Sequence, residues 1–223
     1  TQGYSSAASD VYKRQVNTPN FVACHVQAYL HMYDVTRGLR KNGTFLLNTI
    51  WEGEELAKNL PNKVKKYFAE NNITVYYINA TKIAQEIGLG NRTNTILQSA
   101  FFKLTGIIPE DQAIDLMKAA AKATYGRKGD DVVQKNWAAI DAGAKQVVEI
   151  QVPESWKNAE DEGLHMTHAT EGRQDVIDFV NNIQAKVNAQ EGNSLPVSAF
   201  KDYVDGTTPV SYTHLRAHET ELH

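Results

Sequence analysis

The sequence is poor in cysteine, and its single thiol, Cys24, limits the chemistry that the chain can carry. One cysteine excludes an internal disulfide framework and also a self-contained iron–sulfur cluster, which takes about four thiolates. No apolar run in the chain approaches the roughly 20 residues that a membrane span requires, and the N-terminus shows no charged-then-apolar secretory leader. We therefore expect a cytoplasmic location and no membrane association.

A strong charge of either sign is missing as well. The net charge is -3 and the pI is near 6.2, so the chain has no overall positive charge that would attract a polyanion. Nucleic acid is therefore not an expected partner. His165 and His168 are three residues apart without a third ligand nearby, so we predict no metal site. No acid–base pair or serine–histidine–aspartate order stands out, and we predict no catalytic residue. The composition, 42% hydrophobic and 22% charged, is that of a globular domain.

Both ends of the chain differ from the rest. Residues 1–15 are small and polar without an apolar period, and residues 210–223 hold three of the seven histidines without forming a coherent face. We interpret both segments as foreign, artefactual tails, and the alternative is a pair of genuine disordered tails. The fold is therefore predicted from residues 16–209.

The first half of this region alternates buried strands with helices. Apolar runs at 21–24 and 44–48 predict two buried strands, and a β-branched, aromatic run at 73–78 predicts a third strand. Residues 26–40 place side chains at helical spacing, and Pro61 opens a second helix. This alternation predicts right-handed βαβ units and a parallel sheet.

Helices dominate after residue 79. They are predicted over 81–87, 95–104, 109–125, 133–147 and 175–189, with a last short strand at 148–152. Sheets of this kind usually have about five or six strands. We therefore predict an α/β fold, an incomplete three-layer α/β/α domain whose mostly parallel sheet lacks its first strands and is followed by several helices.

The loop between the first two of these helices has two interpretations. Unpaired N–H groups at the start of the second helix, together with Arg92, would make a seat for an anion such as phosphate. Alternatively the residues are structural, with Gly88 as a C-cap, Gly90 as a turn residue and Asn94 as an N-cap. Spacing alone favours the structural interpretation.

Six short strings in the chain are too specific to be generic motifs. They are FVACH from Phe21, GTFLLN from Gly43, NATKIAQEIGLGNR from Asn79, AFFKL from Ala100, TYGRKG from Thr124 and LPVSAF from Leu195. In this order and at this spacing they resemble the middle, gamma-type domain of the pyruvate:ferredoxin (flavodoxin) oxidoreductases. The resemblance covers nearly all of 16–209 and identifies the chain as an internal fragment that includes the coenzyme-A-binding domain.

This resemblance implies an enzyme that oxidatively decarboxylates pyruvate with coenzyme A, giving acetyl-CoA and CO2 and reducing ferredoxin or flavodoxin. Thiamine diphosphate, Mg and [4Fe–4S] clusters would lie in other parts of the parent chain, which the family leads us to expect as a homodimer. Residues 16–152 would form a partial gamma-type domain, and residues 153–209 a linker and helix leading toward the ferredoxin-like domain. We expect the isolated fragment to be inactive.

The resemblance also suggests binding residues. Asn94 and Asn136 match positions that contact coenzyme A in the family, and we expect Arg92 to support a phosphate. The structural alternative for Asn136 is an exposed helix asparagine. The family's phosphate-cradling glycine turn and the lysine that follows it have no counterpart here, so only part of a coenzyme A site is predicted.

Two other functions remain possible on the sequence alone. The pocket that selects pyruvate lies outside the matched strings, so the parent could act on another 2-oxoacid, or the chain could be a non-catalytic nucleotide-binding or assembly module. A Cys24–His25 nucleophile pair is disfavoured, because neighbours on a strand point to opposite faces. We predict that Cys24 belongs to the core.

Overall fold

The computed structural model describes residues 16–160 and 168–203. These residues form two compact units, one with residues 16–30 and 35–160 and the other with residues 31–34 and 168–203. The tails predicted at 1–15 and 210–223 and the residue His165 lie outside the described residues. The predicted domain boundaries therefore stay predictions.

The first unit is built on a sheet with the strand order β1 (Phe21–Cys24), β2 (Thr44–Asn48), β3 (Thr74–Ile78) and β4 (Val148–Ile150). The first three strands pair in parallel, and β4 runs antiparallel to β3. The predicted α/β fold with a mostly parallel sheet is confirmed. The first two strands have the predicted bounds, the third begins one residue later than predicted, and the last is shorter.

Most of the predicted helices are present within a few residues of their predicted ends. In chain order the helices are α1 (Tyr29–Met32), α2 (Gly53–Asn59), α3 (Asn62–Glu70), α4 (Ala80–Ile87), α5 (Asn94–Thr105), α6 (Glu110–Tyr125), α7 (Asp130–Lys145), α8 (Gln174–Phe179) and α9 (Ala185–Asn188). Pro61 and Pro109 occupy the N-cap positions of α3 and α6, where a missing N–H costs nothing.

The helix predicted over 26–40 is wrong, because only the four residues of α1 are helical there. Leu30 and Leu39 are both buried in the same hydrophobic cluster. At about 100° per residue, two side chains nine positions apart would lie on opposite faces of a continuous helix. The chain instead bends through turns after Met32, so that both leucines reach one core.

The core lies on both faces of the sheet. Phe45 and Leu47 belong to one hydrophobic cluster, and Leu46 between them belongs to the other. This division follows from the alternation of side chains along a strand. The first cluster includes residues of α2 and α3, and the second includes residues of α4, α5 and α7. The sheet is thus covered by helices on both sides, which gives the predicted three layers.

Polar bonds as well as apolar contacts fix α7 against its neighbours. The buried Ser99 hydroxyl of α5 donates a 2.6 Å hydrogen bond to the Ile140 carbonyl oxygen of α7. The Trp137 indole N–H donates to the Lys118 carbonyl oxygen of α6 at 2.9 Å. The apolar stripe predicted along residues 133–147 therefore does face the interior, but its tryptophan also carries a specific hydrogen bond.

The second unit contains α8 and α9, joined without a break by a π-helical turn over Val180–Gln184. This confirms the helix predicted over 175–189. The Phe179 and Tyr203 rings pack edge to face with their centroids 5.0 Å apart. In the part of the chain that the structure describes, no helix is long and apolar enough to cross a membrane.

Candidate functional site

A single asparagine joins three elements at the carboxyl ends of the parallel strands. The Asn48 side chain donates from Nδ2 to the His25 carbonyl oxygen at 2.9 Å and accepts at Oδ1 from the Ala80 N–H at 3.0 Å. It therefore connects the end of β2 to the residue after β1 and to the first turn of α4. In open α/β sheets, ligands bind in crevices at this edge.

A cavity of about 260 Å³ lies at the same edge, between residues 25–27, residues 48–50 and Thr81. Its wall is held by the Gln27 side-chain oxygen, which accepts from the Thr49 hydroxyl at 2.9 Å and from the Ile50 N–H at 3.1 Å. These groups are bonded to one another, so they fix the shape of the cavity wall.

The cysteine at the end of β1 is part of the core, as predicted. Cys24 is buried, and its Sγ donates to the Val26 carbonyl oxygen at 3.2 Å. Burial raises the pKa of the thiol to about 11, although the bond to Val26 opposes this shift. The thiol is protonated near neutral pH, and thiolate chemistry is not available to it.

The loop between α4 and α5 begins with a left-handed residue and a tight turn. Gly88 ends α4 at φ 81°, a conformation that favours glycine. The Arg92 N–H then donates to the Leu89 carbonyl oxygen at 3.3 Å, which brings the arginine back beside the end of α4. The Arg92 side chain is exposed. This loop presents a cation at a turn, as the anion-seat interpretation requires.

Asn94 is the first residue of α5 and is exposed. The N-cap position belongs to Thr93, whose backbone is helical and whose side chain makes no capping bond. The alternative interpretation of Asn94 as the N-cap is therefore wrong. Because no side chain caps α5, the N–H groups of its first turn are left without side-chain acceptors, as an anion seat needs.

Asn136 lies on α7 and is only 5% exposed, so the alternative of an exposed helix asparagine is wrong. Its Nδ2 donates to the Val132 carbonyl oxygen one turn earlier at 2.8 Å. Among the described residues, none donates a hydrogen bond to its Oδ1. Oδ1 is not among the fully buried side-chain atoms that lack a partner, so it keeps contact with solvent and is open to a donor from a ligand.

The loop and α7 meet through Lys135, the residue before Asn136. A Cβ added at Gly88 would lie 3.5 Å from the Lys135 Cε, so the lysine stem covers the end of α4. The structure therefore brings the start of the Arg92 loop to the helix turn that carries Asn136. Within residues 16–160 and 168–203, no hydrogen bond joins Arg92, Asn94 and Asn136 to one another.

Two residues described above were not predicted from the sequence: Asn48 at the edge of the sheet and Lys135 beside the Arg92 loop. Asn48 was available as a signal, since it is a polar residue that ends a buried apolar strand. Lys135 gave no signal, because its role depends on the crossing of α4 and α7. The structure also shows no group of three or more metal-ligating side chains among the residues it describes.

The fold and site together define a protein of the α/β class with a polar crevice at the carboxyl ends of a parallel sheet. The family model for pyruvate ferredoxin/flavodoxin oxidoreductase matches residues 5–146, and a model for a domain of unknown function matches residues 166–214. The chain therefore belongs to the pyruvate ferredoxin/flavodoxin oxidoreductase family.

Curated relatives agree with this assignment. The chain is 42% identical over 194 residues to the pyruvate-flavodoxin oxidoreductase of Enterobacter agglomerans, covering 87% of this chain and 16% of that protein. It is 39% identical over 198 residues to the pyruvate:ferredoxin oxidoreductase of Moorella thermoacetica, covering 89% of this chain and 16% of that protein. It is also 39% identical over 215 residues to the NADP(+) pyruvate dehydrogenase of Cryptosporidium parvum, covering 87% and 11%. The chain thus spans about a sixth or less of these relatives.

Proposed function

We propose that this chain is a segment of a cytoplasmic, homodimeric enzyme that oxidatively decarboxylates pyruvate with coenzyme A and passes the electrons to ferredoxin or flavodoxin. Within that enzyme, the segment contributes part of the coenzyme A site through Asn94, Asn136 and Arg92. Family membership and the names of the relatives support the pyruvate chemistry.

The burial of Asn136 is the observation that carries the coenzyme A assignment. The amide is 5% exposed, and Nδ2 is bonded only to its own helix. Oδ1 accepts no hydrogen bond from the described residues and is not fully buried, so it is accessible to a donor from a ligand. Coenzyme A offers such donors, since its adenine amine and its pantetheine amides are N–H groups. A buried asparagine with half its capacity unused is well suited to orient a ligand of this kind.

The loop supplies the complementary charge. Arg92 is exposed at a tight turn, and the uncapped first turn of α5 follows directly with Asn94 as its first residue. A guanidinium and a helix N-terminus both favour a phosphate group, the first by charge-assisted hydrogen bonds and the second by its free N–H groups and dipole. Coenzyme A carries three phosphates. The loop is thus expected to bind the nucleotide end of the ligand.

The other cofactors belong to other parts of the enzyme. The chain has one cysteine, and that thiol is buried and protonated, so its residues do not fit a [4Fe–4S] cluster. Thiamine diphosphate and Mg are likewise assigned to the rest of the parent chain. The names of the relatives differ in the acceptor, with flavodoxin, ferredoxin and NADP(+) all represented. The partner that accepts the electrons is therefore set outside this segment.

Calorimetric titration of coenzyme A into the intact enzyme that contains this chain tests the assignment. We expect Asn94→Ala and Asn136→Ala each to weaken affinity by about tenfold, the effect of one lost hydrogen bond to a ligand. Asn59→Ala is the matched control, because Asn59 also donates from Nδ2 to the carbonyl oxygen one turn earlier, at 2.9 Å, but lies far from the loop in sequence and on the other side of the sheet. Wild-type affinity in both Asn94→Ala and Asn136→Ala would refute the coenzyme A role.

A further inference from the structure

Lys135 lies where α7 meets the loop that carries Arg92. Its Cε would be 3.5 Å and its Nζ 3.8 Å from a Cβ placed on Gly88. The side chain thus extends across the end of α4 instead of into solvent, although 37% of it is exposed. The residue that follows it is the buried Asn136.

A second cation thereby lies beside Gly88, in the same loop as Arg92. Gly88 precedes the turn Leu89–Arg92, whose closing hydrogen bond is 3.3 Å long. The Lys135 ammonium lies beside Gly88 at the start of the loop, and Arg92 closes the turn that follows. Two cations that flank one turn produce a local positive potential even though the chain is acidic overall.

The ammonium is balanced in this structure by an exposed carboxylate. Lys135 Nζ lies 2.6 Å from Asp131 Oδ2, one turn earlier on α7, and the Asp131 side chain is 76% exposed. An exposed ion pair at this spacing is weak, of the order of a few tenths of a kcal/mol. Nζ can therefore leave Asp131 for a stronger anion at little cost.

We propose that Lys135 is a phosphate-binding residue of the coenzyme A site, held by Asp131 until the ligand arrives. The proposal rests on the function proposed above and extends it to a residue that neither the motifs nor the family comparison assigns. A phosphate seated at the turn receives charge-assisted hydrogen bonds from the Arg92 guanidinium and the Lys135 ammonium. Asp131 then competes with the ligand for the lysine.

The structural alternative is a cation that stabilises the C-terminal end of α4. A lysine near a helix C-terminus interacts favourably with the helix dipole. In that case Lys135 would hold the loop in place without touching the ligand. Its removal would then weaken every ligand of the site to the same extent, whether or not the ligand carries phosphate.

The experiment compares coenzyme A with pantetheine, its phosphate-free portion, in the intact enzyme. Lys135→Met keeps the apolar stem over Gly88 and removes the charge. We expect it to weaken coenzyme A by about tenfold, to leave pantetheine unchanged, and to make the coenzyme A affinity less sensitive to salt. Lys145→Met, at the exposed far end of α7, should change none of these.

Asp131→Asn supplies a test of opposite sign. Removal of the competing carboxylate should strengthen coenzyme A binding by about twofold, and this gain should vanish in the Lys135→Met background. A loss of affinity in Asp131→Asn would overturn the proposal, because the removal of a competitor cannot weaken ligand binding.

The remaining outcomes are also decisive. Unchanged coenzyme A affinity in Lys135→Met overturns the proposal, and so does an equal loss for coenzyme A and pantetheine. If pantetheine binding is too weak to measure, an unchanged salt dependence in Lys135→Met overturns it. Asn136→Ala in the same titrations separates the two claims: if it weakens coenzyme A while Lys135→Met does not, only the role of Lys135 fails. If neither Asn94→Ala nor Asn136→Ala weakens coenzyme A, the proposed function itself fails.

Discussion

Gly143 of α7 packs directly against the backbone of Ile96 in α5: a Cβ added at Gly143 would lie 2.3 Å from the Ile96 carbonyl oxygen and 2.9 Å from the Ser99 Cβ. The first of these neighbours is a backbone atom inside a helix and cannot move without moving α5. We expect Gly143→Ala to lower the free energy of unfolding by about 2 kcal/mol, since overpacking outweighs the gain in helix propensity. Urea denaturation of the chain measures this change.

Gly126 provides the control for that substitution. Its backbone is right-handed, at φ -55° and ψ -35°, and a Cβ added there would meet no atom within 4 Å. Alanine at this position should therefore be neutral or stabilising by about 0.5 kcal/mol, because it restricts the unfolded chain. If both variants had the same stability, the close approach of α5 and α7 would be contradicted.

The half-buried Asn48 is expected to contribute more to stability than a residue with only local hydrogen bonds. Its two hydrogen bonds, to the His25 carbonyl oxygen and from the Ala80 N–H, connect elements that are far apart in sequence. Asn48→Ala removes both, and at about 1 kcal/mol for each bond we expect a loss of about 2 kcal/mol in urea denaturation. In Asn59→Ala, which removes one local bond within α2, the loss should stay below about 1 kcal/mol. A similar loss in the two variants would mean that the bridge contributes nothing beyond a local bond.

A strand or helix could be predicted from the sequence when its signal was local. The strands at 21–24 and 44–48 were found because a run of apolar residues reports burial on both faces without knowledge of any partner. The long helix at 26–40 was wrong because helical spacing of a few side chains could not show that Leu30 and Leu39 share one core. The antiparallel direction of β4 could not be predicted from the sequence either, because it depends on where α7 ends.

The residues of the candidate site also differ in whether the sequence alone could suggest them. The assignment of Asn94 and Asn136 to coenzyme A came from a resemblance to a family. The burial of Asn136 follows from the packing of α7 and is a property of the fold. Lys135 contacts Gly88 in a different helix–loop segment, and Asn48 bonds residues 23 and 32 positions away in sequence. No local pattern reports such contacts.

The buried thiol predicts a pH dependence of stability. The pKa of Cys24 is raised from 9.0 to about 11 in the folded chain, so the unfolded thiol ionises first as pH rises. The stability is fully present below pH 9 and is lost between pH 9 and about 11, by about 3 kcal/mol at most. Cys24→Ala lacks this component, and the difference between the two proteins in urea denaturation from pH 8 to 11 isolates it. A constant difference would show that the thiol is as accessible to water as in the unfolded chain.

Asn136 should behave differently from its neighbours on α7 when stability is measured without ligand. Asn136→Ala removes a hydrogen bond to Val132 within the same helix, but it also improves helix propensity. We expect these effects to cancel, with a change in unfolding free energy of less than about 1 kcal/mol. Ile140→Ala, one turn later and fully buried, should cost about 3 kcal/mol.

Residues kept for binding are expected to be poor contributors to stability. A loss in Asn136→Ala as large as that in Ile140→Ala would mark the asparagine as a packing residue and remove the main physical support for its role in binding coenzyme A.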